Sequence, residues 1–486
     1  MEKRGHHRNR ICTAMVLLTL GLGMVPLIAR AEDPASAKDL GDILLKKGVI
    51  TEEELQQARE EEKQKQTASE SRLDALKAKL PKWLDMLTPF GDIRLRDEGF
   101  YQEDKTARNR SRVRVRIGLT ANVSDEISGT VRLANGNPND PIAYNQTLDS
   151  TFVPKSINLN WAYLTLKPGK TFSIAPGWLT ITAGKFGVNT AYRLSELVWD
   201  EDVAAEGATE TVNLVDRRDG FLRSLRVNAF QWIVDEVSDG GDPWIPGGQV
   251  VGETALDGSA TWTLALADYY YDHINAVARK FLNQYNDPPM NSKPNASFNS
   301  QLANSNSVVT DANGKILRYK SGFNVLNAQT ALDASDPIGL GVPAGVYGDF
   351  AYNTEAEGRN VGLYVGAGIG KAGKDWYRNV LKNPGDWGLS YSYAWVEKDA
   401  VLSIFTFSEM NEYSTRPAKA GAARPTQKGA TNLISHILRF DYVLLPNLQL
   451  TAKAYVENVL DRKISNAALT QNPTLVRTQL DAILKF

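Results

Sequence analysis

Six arginines and four acids carry the chemistry this sequence offers. Arg112, Arg114 and Arg116 recur at every second residue, Arg94 and Arg96 come before them, and Arg132 follows. Guanidinium groups with that periodicity stand ~6.6–6.8 Å apart along one face of a strand. They are close enough to pass an anion along a wet wall. Asp200, Glu201, Asp202 and Glu206 form a compact acidic run. Fixed charges of both signs orient dipolar solutes and rank ions by charge; they break no bonds. Reagents for bond breaking are scarce, since the chain has four histidines and one cysteine. His6, His7 and Cys12 fall in the N-terminal leader described below, while His273 and His436 stand alone. A nucleophilic triad or a transition-metal cage has almost nothing to use. We therefore expect no catalytic residue, no metal and no cofactor. A net charge of −1 gives nucleic acid no basic surface.

The arginines need a strand to hold them. Val113, Val115, Ile117, Leu119, Ala121 and Val123 share one parity, and Arg112, Arg114, Arg116, Gly118, Thr120 and Asn122 the other. Such alternation is a β-strand between two different solvents, with a length that suits a tilted bilayer crossing of ~9–11 residues. Each arginine turned toward lipid at mid-membrane would cost ~2–4 kcal/mol. The apolar parity must therefore face lipid and the arginines a wet lumen. Beyond the N-terminus no run approaches the ~18 uncharged apolar residues of a spanning helix.

From 91 to 486 similar strands alternate with short and long connections. The fold class expected is all-β: a transmembrane antiparallel β-barrel of sixteen strands, preceded by a short N-terminal periplasmic α-helical segment. The leader covers 1–31, with Lys3, Arg4, Arg8 and Arg10, an apolar core from Ile11 to Ile28, and the small-x-small site Ala29-Arg30-Ala31. Residues 32–90 form the helical segment and linker, with a capping box of Thr51 and Glu54. The strand at 157–166 has no clear phase, because Asn158 and Asn160 share parity with Leu164 and Leu166. Residues 273–321 read as an external loop. Trp161, Trp178, Phe230, Trp232, Tyr269, Tyr270, Tyr271, Trp387 and Tyr442 fall near strand ends, as interfacial girdles require. The last strand, 475–486, ends its apolar row on Phe486, which resembles the signal read by bacterial barrel-assembly machinery.

The segment Trp387–Val401 resembles a late strand and loop of the bacterial putative porin family, and Arg112–Asn122, Ser156–Pro168, Thr182–Asn189, Leu197–Gly207 and Phe323–Leu326 are similar to other parts of it. The resemblance spans roughly 90–486. It implies an outer-membrane barrel, trimeric, with lipid and the assembly machinery as partners, that passes small hydrophilic solutes and ions. In trimeric porins the loop after the fifth strand folds inward. That makes Asp200, Glu201, Asp202 and Glu206 candidates for a constriction opposite Arg94, Arg96, Arg112, Arg114, Arg116 and Arg132, with a weak anion preference. Three alternatives stay open. The acidic loop is a solvated external loop and the arginines pair with Asp92 for structure; the barrel is a selective anion channel; or it is a plugged structural or adhesive barrel whose long loops bind a partner.

Overall fold

The computed structural model describes residues 45, 51–57 and 60, and the chain from 81 onward except 104, 139, 191–192, 218, 238–240, 257, 280–303, 313–314, 372–380, 411, 415–425, 463–471 and 473. It divides into two units, Met1–Leu84 and Asp85–Phe486. The leader expected at 1–31 lies outside the described residues, as does most of the helical segment. Within the first unit the capping box is formed. Thr51 N donates to Glu54 at 2.8 Å, and Glu54 N donates to Thr51 Oγ1 at 3.2 Å.

In the second unit the barrel strands are β1 Leu87–Gln102, β2 Arg108–Asn122, β3 Ile127–Asn135, β4 Ile157–Leu166, β5 Leu179–Gly187, β6 Ala204–Asp216, β7 Leu222–Ile233, β8 Trp244–Ala255, β9 Ala260–Tyr270, β10 Asn324–Ala334, β11 Ala344–Asn353, β12 Val361–Gly370, β13 Trp387–Val396, β14 Leu433–Leu445, β15 Leu448–Val459 and β16 Leu475–Lys485. Each pairs antiparallel with the next, and β16 pairs with β1. The sheet is thus closed and has no edge to protect. Short connections at 123–126, 217–221, 256–259 and 446–447 lie at the end that also holds the start of β1 and the C-terminus. At the opposite end the long loops are 136–156, 188–203, 271–323 and 397–432.

The two parities separate as the bilayer argument requires. Ile93, Leu95, Ile117, Leu119, Val131 and Leu133 are exposed on the outer surface, while Arg94, Arg96, Arg112 and Arg114 are buried inside. In β4 the phase changes within the strand. Arg132 pairs with Trp161 and Leu133 with Leu159, leaving Asn160 as the extra residue of a β-bulge. Ile157 and Leu159 before it and Leu164 after it can then all face outward. That is why counting by twos fails there, and why Trp161 sits beside inward Arg132 and not in a girdle.

The apolar core lies inside the barrel. Phe230, Trp232, Tyr269 and Tyr271, expected in the girdles, are buried in it around Trp199. They sit at strand ends as expected but on the inward parity. Trp178, Tyr270 and Phe486 are exposed. At the seam Phe486 N donates to Gly91 O at 3.0 Å and Gly91 N to Phe486 O at 2.8 Å. The Phe486 ring lies over Gly91, where a Cβ would meet it at 2.6 Å.

Candidate functional site

The basic wall is built where β1, β2, β3 and β16 adjoin. Strand pairing sets Arg94 across from Arg114 and Arg96 across from Arg112. So many guanidinium groups cannot be buried together without acids among them. Asp92 separates Arg114 and Arg116, accepting from Arg114 Nε at 3.1 Å and Arg116 Nε at 2.6 Å. Asp481 of β16 takes Arg96 by both oxygens, at 2.6 and 2.7 Å. The fully enclosed Glu98 receives Arg110 and, at 2.7 Å, Arg477 of β16, with Arg96 at 3.6 Å and Arg112 at 3.8 Å. Arg132 donates to Asn160 at 2.6 Å and lies over the Trp161 ring at 3.2 Å. Arg94 and Arg112 both reach Asn145 of loop 136–156, at 2.7 Å each.

Loop 188–203 enters the barrel. Val188, Leu194, Leu197, Val198 and Trp199 are buried in its core, and the loop is tied to three distant strands. Arg193 N donates to Gln249 of β8 at 2.9 Å, and Ser195 Oγ donates to Asp349 of β11 at 2.7 Å. Asp202 accepts from Arg114 at 3.4 Å and Arg116 at 3.3 Å. Gly362 of β12 leaves the space that Leu197 fills. Asp200 and Asp202 are buried, and Glu201 is 46% exposed with Arg114 at 3.8 Å. A solvated external loop is therefore not what is seen, whereas pairing of the arginines with Asp92 is.

Glu206 departs from expectation. It belongs to β6, not to the loop, and its outward parity pairs it with Lys185 on the outer surface at 2.5 Å. The loop ends at Val203, three residues earlier than the acidic run suggests.

The sequence reading missed a second inward loop. Residues 400–410 between β13 and β14 are nearly all buried. Phe405 stacks on Trp199, Asp200 N donates to Phe405 O at 2.7 Å, and Ser408 N donates to the Asp200 carboxylate at 2.6 Å. Asn306 of loop 271–323 braces the same loop through Ser403. Glu409 reaches Arg96 at 2.5 Å and is also bonded by Arg477 and Gln479 of β16. The signal was the apolar run Val401–Phe407, which an external loop has no reason to carry.

The loop acids divide by surroundings. Burial pushes the Asp200 carboxyl well above the ordinary carboxylate range, and the neighbouring Asp202 adds to it. Burial also raises Glu196, to about 7, against the opposing pull of Lys453. For Glu201 burial acts upward, but the Arg114 and Arg116 charges outweigh it and the net direction is down. For Glu409 burial is likewise outweighed, chiefly by Arg96, and the carboxyl is held well below its usual range. Near neutral pH the loops thus present Glu201 and Glu409 as fixed anions to the wall, and Glu196 as a titrating one. Among the described residues no cluster of His, Cys, Asp and Glu is arranged to hold a metal.

A family model described as "Putative porin" matches residues 99–415. No curated protein matches the chain. Solved structures similar to it include OprB of Pseudomonas putida at high pH, with a TM-score of 0.49 and 11% identity over 83% of this chain and 96% of that one. The trimer form of OmpT from Vibrio cholerae matches at 0.41 and 11%, over 83% and 100%. An anion-selective porin from Comamonas acidovorans matches at 0.42 and 9%, over 82% and 99%.

Proposed function

Because this chain belongs to the Putative porin family, whose members are outer-membrane β-barrel channels and not enzymes, we propose that it forms a water-filled path for passive diffusion of small hydrophilic solutes and ions. The reading is carried by one observation: Arg114 and Arg116 on the wall face Glu201 and Asp202 on the inward loop. A path bounded by fixed charges of opposite sign has a transverse field that orients dipolar solutes and screens ions by charge. Arg94, Arg96, Arg112, Arg114, Arg116 and Arg132 line that path, and Asp200, Glu201 and Asp202 belong to its constriction. The wall arginines, Arg110 and Arg477 included, outnumber the ionised acids of the wall and of the two inward loops taken together, so a weak anion preference follows. The channel works as a homotrimer. Residues 1–31 are a cleaved leader, the residues from 32 to the start of β1 at Leu87 a periplasmic segment, and Phe486 the assembly signal.

The packing of 400–410 on 188–203 favours a second reading, a barrel closed by its own loops that serves a structural or adhesive role. Reconstitution in a planar bilayer separates the two. Stepwise conductance with three sub-levels supports the trimeric channel; a correctly folded barrel that passes no current supports the closed one.

A further inference from the structure

We propose that the basic wall is a binding site for carboxylate solutes and that Glu409 is its tethered competitor, which an incoming carboxylate displaces. This rests on the channel reading above. Two loops dock on the wall through carboxylates, one by Asp202 with Glu201 beside it and the other by Glu409. Asp202 takes Arg114 and Arg116 at 3.4 and 3.3 Å, and Glu409 takes Arg96 at 2.5 Å with Arg477 at 3.8 Å. Arg94 belongs to the same wall, one inward position along β1 from Arg96 and across from Arg114. It is 5% exposed, and its Nε has no partner. Among the described residues its single hydrogen bond is to the neutral amide of Asn145, at 2.7 Å. Arg112 repeats the pattern, with an unpartnered Nε and its nearest carboxylate, Glu98, at 3.8 Å.

A buried guanidinium without an anion is unfavourable, so the wall has unused capacity for negative charge. Its resident anions, Asp92, Glu98, Asp202, Glu409 and Asp481, are all carboxylates. The arginine fork matches a carboxylate with two parallel donors. Asp92, Glu98 and Asp481 are fixed on strands, but Glu409 comes from a loop and can leave without breaking a strand ladder. A solute carboxylate entering between Arg94 and Arg96 finds Arg94 bonded only to an amide among the described residues, and finds Arg96 kept on Asp481 through Nε and Nη2 while its Nη1 is held by the replaceable Glu409.

The test is calorimetric titration of succinate, with neutral succinamide as control, into the full chain refolded in detergent at low salt. Glu409→Gln keeps the side chain's length and one acceptor oxygen but removes the competing charge, and it should bind succinate roughly tenfold more tightly than wild type; Arg94→Gln should bind roughly tenfold more weakly. Succinamide should bind to none of them. Equal succinate affinity in wild type and Glu409→Gln overturns the competitor, and an unchanged affinity in Arg94→Gln overturns the site. Heat modifiability on a gel certifies folding. If Glu409→Gln does not fold, the Arg94→Gln arm decides by itself, with Glu409 in place. Bilayer current in KCl judges the channel separately. A conducting barrel with one succinate affinity in all three proteins keeps the channel and rejects the competitor, and the predicted affinities in a silent barrel do the reverse.

Discussion

Trp199 and Phe405 stack with ring centroids 5.6 Å apart and planes inclined by 28°. Each comes from a different inward loop, so the stack joins the loops into one body inside the barrel. Trp199 also meets Trp232 edge-on at 5.3 Å and Tyr269 at 5.7 Å. Trp199→Ala removes all of these contacts, and a fully buried tryptophan replaced by alanine costs ~3–5 kcal/mol. The expected result is a folded barrel with larger, noisier single-channel current, because the loops are then joined only through the hydrogen bonds of Asp200 to Phe405 and Ser408. A trace identical to wild type would show that the stack does not restrain the loops.

Glu196 makes the charge balance of the constriction depend on pH. Its carboxyl is pushed up to about 7 by burial. Below that pH it is neutral; above it, one more negative charge faces Lys453 and Arg439. The zero-current potential in a KCl gradient should therefore move toward cation preference as pH rises from 5 to 9, with its midpoint near 7. Glu196→Gln should stay at the acid-side value throughout. For stability the sign is the same as for any raised carboxyl. The contribution is complete at acid pH and is lost as pH rises through the folded-state value.

Arg112, Arg114 and Arg116 replaced together by glutamine should shift the reversal potential toward cations. Glutamine is shorter but unbranched and able to hydrogen-bond, so strand pairing persists, while Asp92 and Asp202 lose their counter-charges. The shift should be largest at low salt and fade near 1 M, where the Debye length is ~3 Å. An unmoved potential in a folded, conducting variant would remove these arginines from the conducting path.

Phe486→Ala should reduce yield in the outer membrane of cells while leaving refolding into detergent intact. The backbone pair between Phe486 and Gly91 survives the change, and the loss is one exposed ring. Equal yields in cells would remove Phe486 from the assembly signal.

Deleting residues 35–80 should leave a heat-modifiable barrel. β1 begins at Leu87, and its ladders run to β2 and β16 alone. Loss of the heat-modifiable band would make that segment an assembly element.

Much of the fold was legible because lipid and water impose a period of two. The arginine strand β2, the lumen side of Arg94 to Arg132 and the apolar row ending at Phe486 could all be read from alternation and the cost of a charge in lipid. Alternation says nothing about connections, however. The docking of Glu409 on Arg96 links residues 313 apart in sequence, and no local rule foretells such a contact. Glu206 was misread because it continues the acidic run of Asp200–Asp202, although the chain had already entered β6. Asn160 hid the phase of β4, since a bulge shifts parity without leaving a mark in composition. The girdle assignment of Phe230, Trp232, Tyr269 and Tyr271 failed for a related reason. Nearness to a strand end does not separate a lipid-facing ring from an inward one, whereas parity does.

The Glu98–Arg477 and Arg96–Asp481 pairs at the meeting of β1 and β16 have a consequence for how the cylinder closes. The last strand can meet the first only after every other strand is laid down, and backbone ladders alone accept any even offset. Side-chain charge narrows that freedom. A slip by one residue would turn Arg477 and Asp481 toward lipid. A slip by two in one direction would bring Asp481 opposite Glu98; by two in the other it would set Asp481 opposite Arg94 and Arg477 opposite Glu98, and leave Arg96 facing Gln479. The first two-residue slip sets like charges against each other and the second strips Arg96 of Asp481, whereas the observed alignment gives Arg96 both Asp481 and Glu409, with Arg477 beside Glu409. Closure error is sensed inside the barrel, by a loop that cannot seat unless the wall beneath it is in register.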